Sequence, residues 1–259
     1  MKPEELLKLV SKEILEKGRK IRRKGQILEL QRKEDRIEAL VKGSYHPYYE
    51  VKIKVKQEGL EITAIDPASI AMVSLKIPKQ AFSQFELEKE EELGINLDDL
   101  KQVLKRASQA IILEKQENKL QVKLSEKRIF SLALIAIEAE EKQIPKLNFN
   151  TKVKLKSKEF AEAIADSAIV ADSCAFIASN NEFRIEAQGL NKVVTKLDAT
   201  IEGTESKAKY AIDYLAKFAK ASKFSENLTL SFSTNYPARL DFKEGFELGF
   251  IIAPRVEEE

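Results

Sequence analysis

Tryptophan is absent, and cysteine and histidine occur once each, as Cys174 and His46. A single thiol excludes an internal disulfide, and with one imidazole it excludes a zinc site of the usual Cys/His type. Metal chemistry would therefore fall to carboxylates, and no metal site and no cofactor are expected. No run approaches the roughly 20 apolar residues that span a bilayer. The first 25 residues are too charged for the apolar core of a secretory leader, so the expected place is the cytosol or a nucleus, with no membrane contact. What is present is 259 residues, 43% of them apolar, enough for one large domain or two smaller ones with their own cores. Lys and Glu dominate the charged residues, and with few glycines this follows the trend of heat-adapted proteins.

The formal charge of +2 hides an asymmetry. Residues 1–57 hold 16 basic and 9 acidic side chains, whereas the rest hold 28 and 33. An acidic body can still bind nucleic acid if its basic residues share one surface, because the field near the phosphates decides. Residues 4–24 read as a helix with Leu6, Val10 and Ile14 at four-residue spacing, ending in the basic run Arg19, Lys20, Arg22, Arg23, Lys24 and closed by Gly25. Strand-like runs follow at 27–30, 36–41 and 48–55, with Gly43, Ser44 and Pro47 marking a turn.

Beyond Gln57 the chain repeats itself. Residues 97–108 and 212–222 share one pattern: an Asp after the first apolar residue (Asp98, Asp213) as an N-terminal helix signal, then apolar residues on one face. Those are Leu97, Leu100, Val103 and Leu104 in the first, and Ile212, Leu215, Phe218 and Ala219 in the second. Lysines lie away from that face, and alternating strands follow at 110–124 and 227–242. Upstream, Leu60-Glu-Ile-Thr-Ala64 matches Phe183-Arg-Ile-Glu-Ala187. A third helix is expected at 157–168 with Phe160, Ile164 and Ala168 buried. The segment 138–146, acidic and then interrupted by Pro145, reads as a surface connector. The chain is therefore expected to be a tandem of two α+β units.

From Glu58 onward the sequence resembles the sliding clamps of the proliferating cell nuclear antigen family, archaeal type. The matching words are residues 58–75, Gln143-Ile-Pro-Lys146, Glu159-Phe-Ala161, residues 210–222, Tyr236-Pro237 and residues 252–257. The resemblance implies two tandem clamp-type domains, antiparallel sheets outside and helices lining a central hole, at 58–137 and 148–259 with a connector at 138–147. It further implies a trimeric ring of like or related chains that encircles duplex DNA without reading sequence, tethers DNA polymerase as a processivity factor and serves clamp loader, flap endonuclease and DNA ligase. No catalytic residues are expected. In an archaeon the place would be the cytoplasm, with the nucleoid; in a eukaryote, the nucleus.

Three residue sets carry over. Lys101, Lys105, Arg106, Lys217, Lys220 and Lys223 would face DNA, where point charges attract phosphate without fixing register; the plainer reading is a pair of solvated helix faces. Ile65, Ser69, Met72, Ile144, Pro145, Pro237, Ile251, Ala253 and Pro254 would form a pocket for a partner's peptide, although singly each suits an ordinary core. Arg128, Phe130, Leu132 and Leu134 on one edge strand would meet Val193, Val194 and Leu197 of the next subunit, the alternative being an internal hairpin. On helix 157–168, Glu162 and Ala165 stand where the family commonly has basic residues, which lowers the positive potential expected there.

Residues 1–57 depart from the family, which opens with a strand, an inner helix and a strand. Part of this segment, 17–55, resembles the stretch that precedes the metal ligands of SWIM zinc-finger proteins, without the ligands. It stands as a fused accessory segment, a chimera or a divergent clamp N-terminus. Two rival functions remain at this level. A nuclease would need carboxylates such as Asp66, Asp98, Asp99, Asp166, Asp172 and Asp213 to converge on a metal. A monomeric clamp-like adaptor or nucleic-acid-binding protein would bind partners without closing a ring.

Overall fold

The computed structural model describes residues 27–32, 37–41, 50–66, 68–136 and 144–255, the first two stretches by backbone alone. The chain divides between Tyr49 and Glu50 into two compact units. In the first, β1 (Ile27–Arg32) pairs antiparallel with β2 (Ile37–Val41), at the positions of two of the expected strand-like runs. The helix expected at 4–24, its basic end, the turn at Gly43, Ser44 and Pro47, and residues 138–143 of the connector lie outside the described residues.

The second unit holds both repeats. The first comprises β3 (Glu50–Lys56), β4 (Gly59–Ile65), β5 (Ala71–Pro78), β6 (Glu91–Asn96), α1 (Leu97–Leu104), β7 (Ile112–Gln116), β8 (Lys119–Ser125) and β9 (Arg128–Ala133). The second opens with β10 (Thr151–Lys156) and α2 (Ser157–Val170), then β11 (Ser173–Ser179), β12 (Glu182–Gln188), β13 (Lys192–Leu197), β14 (Ala199–Gly203) and β15 (Ser206–Ala211). It closes with α3 (Ile212–Phe218), extended by a 3-10 stretch Ala219–Lys223, and β16 (Asn227–Phe232), β17 (Ala238–Lys243) and β18 (Glu247–Ile252).

Period-two alternation makes these strands. In β10, Thr151, Val153 and Leu155 are buried while Lys152, Lys154 and Lys156 are exposed. The turn between β3 and β4 requires glycine, since Gly59 sits at φ 138° and a Cβ there would lie 2.1 Å from the Ile77 carbonyl oxygen. The boundary expected after residue 57 falls inside this hairpin. The charge shift at Gln57 marks a change of composition, whereas packing keeps β3 between β4 and β6.

The sheet orders display the repeat. The order β13-β12-β11-β15 in the second matches β5-β4-β3-β6 in the first, and β16-β17-β18 matches β7-β8-β9. Pairing of β18 with β5 fuses the repeats into a nine-stranded sheet, β14-β10-β16-β17-β18-β5-β4-β3-β6. Among the described residues, strands β9 and β13 pair on one side only, with β8 and β12.

Each repeat has its own core. The second packs Phe160, Phe176, Phe183, Phe232 and Tyr210, all fully buried, between its strands and helices. The first is smaller, built on Ile53, Leu93, Ile95, Leu100, Val103, Leu120, Val122 and Leu124. Helix α2 packs on β12 and β13. Among the described residues no counterpart of it covers β4 and β5, and Leu60, Ile62, Leu75 and Ile77 are only half-buried.

Two helix expectations need correction. Helix α1 ends at Leu104 rather than 108, and Leu97 and Leu104 are exposed. A two-turn helix buries only the residues directly over the sheet, Leu100 and Val103. In α2 the buried stripe is Ser157, Phe160, Ala163, Ile164 and Ser167, and Ala168 is exposed. Its 3.6-residue turn favours the i+3/i+4 neighbours.

Candidate DNA-facing helices, peptide pocket and open edges

Helix α1 begins at Asn96, whose Oδ1 accepts the N–H groups of Asp98 (2.9 Å) and Asp99 (3.3 Å). The cap is therefore Asn96, and Asp98 works within the first turn, where its charge meets the helix dipole. Asp213 holds the matching place in α3, which starts from Ala211 without a side-chain cap. The buried faces of both helices turn their lysines to solvent. Lys101 lies on α1, Lys105 at its C-cap and Arg106 one residue beyond; Lys217 lies on α3, with Lys220 and Lys223 on its 3-10 extension. All six are exposed.

Charge pairing separates these cations from many of the strand lysines. Many strand lysines are matched to carboxylates, Lys52 with Glu92 at 2.9 Å, Lys56 with Glu61 at 2.7 Å, Lys123 with Glu114 at 2.7 Å, Lys154 with Glu202 at 2.9 Å and Lys196 with Glu182 at 2.8 Å, although among the described residues Lys119, Lys152 and Lys207 are not. Among the described residues, none of the six helix cations has a carboxylate within ion-pairing distance. Only Lys217 has a described partner, the Tyr214 ring, with Nζ 5.1 Å from its centroid. Helix α2 contributes little, because Lys158 lies 3.9 Å from Glu162, and Ala165 and Asp166 are also exposed.

Of the expected pocket residues, Ile65, Met72, Ile251 and Ala253 come together where the repeats join. Ile65 faces Met72 across β4 and β5, Met72 faces Ile251 across β5 and β18, and Ile251 faces Arg239 across β18 and β17. Directly paired antiparallel residues share a sheet face, so these four form one row. Ala253 joins it by donating its N–H to the Ile70 carbonyl (2.8 Å). Met72 is 8% exposed, Ile65, Ile144, Pro237, Ile251, Ala253 and Pro254 are half-buried, and Ser69 and Pro145 are exposed. Ser69 has φ 57°. Arg239 was missed in the sequence; it pairs with Asp241 through Nε (2.9 and 3.0 Å), and only the strand register reveals its place.

The turn after β4 is organised by one carboxylate. Asp66 accepts N–H groups from Ala71 (2.6 Å) and Ala68 (3.1 Å) and the Tyr214 hydroxyl (2.8 Å). Burial opposes ionisation, but these donors outweigh it, and the carboxyl titrates below its ordinary value. The other suggestive carboxylates do not converge, and among the described residues no group of three or more metal-ligating side chains occurs. Cys174 is fully buried, and burial pushes its thiol up to about 12.

On the open edges, Arg128 and Val194 are exposed, Phe130, Leu132, Leu134 and Val193 are half-buried against their own cores, and Leu197 is buried. Ile129 is 51% exposed and was not among the expected residues. The run Arg128-Ile129-Phe130 gives apolar groups on both faces of β9, and that pattern was the available signal.

This is the architecture of a clamp-type protein: two repeats joined edge to edge, with helix cations unpaired and two edge strands open among the described residues. Its N-terminal part matches the family model of the proliferating cell nuclear antigen N-terminal domain over residues 38–144, and its C-terminal part that of the C-terminal domain over 143–255. A DNA polymerase sliding clamp of Thermococcus gammatolerans is 37% identical over 224 residues, covering 81% of this chain and 90% of that protein. The Pyrococcus abyssi clamp is 36% identical with the same coverage. Among solved structures, the A. fulgidus clamp bound to the C-terminal region of FEN-1 superposes with a TM-score of 0.75 at 31% identity, covering 81% of this chain and 91% of that one. The Thermococcus kodakaraensis clamp gives 0.74 at 28%, covering 80% and 91%. The chain belongs to the proliferating cell nuclear antigen family of DNA polymerase sliding clamps, which are processivity factors rather than enzymes. No described helix is long and apolar enough to cross a membrane.

Proposed function

We propose that this chain is one subunit of a ring that encircles duplex DNA, tethers DNA polymerase and recruits clamp loader, flap endonuclease and DNA ligase. The observation that carries the DNA-facing assignment is the contrast in pairing: many strand lysines are paired with glutamates, while among the described residues Lys101, Lys105, Arg106, Lys217, Lys220 and Lys223 have no such carboxylate and keep their charge available for phosphate. Such cations hold a duplex without specifying sequence.

The junction inside the chain serves as template for the junction between chains. Superposing buried positions of β8 on β17 places Leu120 on Ala238, which sets Phe130 of β9 on Phe250 of β18. The repeated words at Leu60 and Phe183 set Val193 of β13 on Val73 of β5. Because Phe250 pairs with Val73 and Gly249 with Ser74, β9 of one subunit would place Phe130 opposite Val193 and Ile129 opposite Val194 of the next. The two exposed apolar side chains on these edges then cover each other. Repetition of this heterologous contact closes a finite ring when its rotation matches. Arg128, Leu132 and Leu134 flank the same ladder, and Leu197 supports it from the core.

The row Ile65, Met72 and Ile251, with Ser69, Ile144, Pro145, Pro237, Ala253 and Pro254 around it, is the peptide-docking pocket on this reading. The first clamp domain runs from β3 into the connector at 138–147, the second from 148 onward, and residues 1–49 form an accessory unit. The archaeal relatives favour a cytoplasmic, nucleoid-associated place. The test is calorimetric binding of the FEN-1 C-terminal peptide to the full chain. Met72→Asp should abolish docking, and because Met72 is mostly buried, Ser69→Glu at the exposed rim is the companion variant. Unaltered affinity in both sinks the pocket.

A further inference from the structure

We propose that Tyr214 is a positioning residue for peptide docking, reaching from a DNA-facing helix to hold the wall of the pocket; this rests on the pocket reading above. Tyr214 lies on α3 in the second repeat, whereas Asp66 ends β4 in the first, 148 positions away in the chain. Their hydrogen bond, 2.8 Å from hydroxyl to Oδ2, ties the two repeats together beside the docking row.

What that contact controls follows from the other bonds of Asp66. Its two carboxylate oxygens take the N–H groups of Ala68 and Ala71, its own N–H donates to the Ala71 carbonyl (2.9 Å), and its carbonyl accepts from Ser69 (2.9 Å). The turn that carries Ser69 and leads into Met72 is thus held by Asp66, through its side chain at Ala68 and Ala71 and through its backbone at Ser69 and Ala71. Ile70 extends the effect, because its carbonyl accepts the Ala253 N–H at 2.8 Å and so positions the segment that carries Ala253 and Pro254. Both walls of the pocket hang on Asp66, and Tyr214 supplies its hydroxyl donor.

The tyrosine is itself held. Its ring centroid is 6.5 Å from that of Phe218, which stacks on Phe250 at 4.4 Å, and Lys217 Nζ lies over the Tyr214 ring, 5.1 Å from its centroid. A ring held between Phe218 and Lys217 delivers its hydroxyl in one direction, so the donor is pre-organised before any peptide arrives. Removing the hydroxyl leaves the ring packing and takes away the donor to Asp66 Oδ2. Its loss therefore lowers the population of the docking-competent wall, which weakens apparent affinity by the same factor.

The experiment measures affinity for the FEN-1 C-terminal peptide by calorimetry, with solution mass and melting temperature recorded for every variant. Tyr214→Phe is expected to weaken binding about fivefold with mass unchanged, Asp66→Asn to weaken it comparably, and the double variant no further than the worse single one, since both break one link. A merely structural role would lower the melting temperature of Tyr214→Phe while leaving affinity as in the wild type. That result overturns the proposal, as do losses that multiply in the double variant. Failure of the pocket itself is distinguishable: wild-type chain that ignores the peptide, or Met72→Asp and Ser69→Glu that both bind it normally, removes the pocket and this proposal with it.

Discussion

Replacing Ile129 with glutamate tests the junction register at its most exposed point. Ile129 is 51% exposed and Val194 43%. Covering them against each other removes on the order of 150 Å² of apolar surface, about 3–4 kcal/mol at each junction. Glutamate forfeits most of that and must either desolvate its carboxylate beside a valine or bend away and leave a gap. A loss of about 3 kcal/mol weakens each junction more than a hundredfold. The wild type should scatter light with a mass near three times the 29.4 kDa chain; Ile129→Glu at micromolar concentration should fall to the single-chain mass while keeping its circular dichroism. The register makes a stronger demand through rescue, because Ile129→Lys combined with Val194→Glu places opposite charges face to face and should restore the ring. A wild-type trimer that Ile129→Glu leaves intact, or a charge swap that rescues nothing, refutes the pairing of these two residues.

Three further outcomes are expected. Lys217→Ala should weaken DNA association and reduce the slope of log affinity against log salt by up to about 2.7 if all three copies in a ring touch phosphate; an unchanged slope removes Lys217 from the DNA surface. Asn96→Ala should cost about 1 kcal/mol through loss of the α1 cap, read as a lower melting temperature, and a neutral result would make the cap bonds dispensable. Asp66 has a depressed folded pKa, so its stabilisation is complete above the ordinary carboxylate value of about 3.9 and fades as pH falls through the folded one; the stability gap between wild type and Asp66→Asn should narrow in acid, and a gap constant down to pH 2 would contradict the lowered pKa.

The repeat was legible because burial wrote it twice. Phe183, Ile185 and Ala187 alternate as Leu60, Ile62 and Ala64 do, and the period alone separates strand from helix. Helix α3 was legible for the same reason, with Ile212, Leu215, Phe218 and Ala219 all buried. Helix α1 was overextended because Lys105 to Ser108 continue a helical pattern of which Ala107 alone packs against the first core. The pocket rows were invisible as geometry, since Met72 and Ile251 meet only through a strand register set by the pairing of whole hairpins. Ile129 escaped because an exposed isoleucine in an isolated chain looks like any surface apolar residue until the partner edge is known. The Tyr214–Asp66 bond spans two repeats, and neither repeat alone carries a trace of it.

On the proposed reading, the glutamates reduce positive charge on the strands of this lysine-rich protein and leave it available on two helices. On the strands, Lys154 has Glu202 and Lys196 has Glu182 on the neighbouring strand, which blunts the positive field of the sheet. On the helices the same device would be easy to build, since an i,i+4 glutamate suffices, and α2 builds it with Lys158 and Glu162. Helices α1 and α3 do not. If solvation were their only task, adding that device there should change nothing. Lys101→Glu with Lys220→Glu should instead abolish retention on a circular duplex while leaving peptide affinity and ring mass as they are. Undiminished retention would return these lysines to ordinary solvated helix faces.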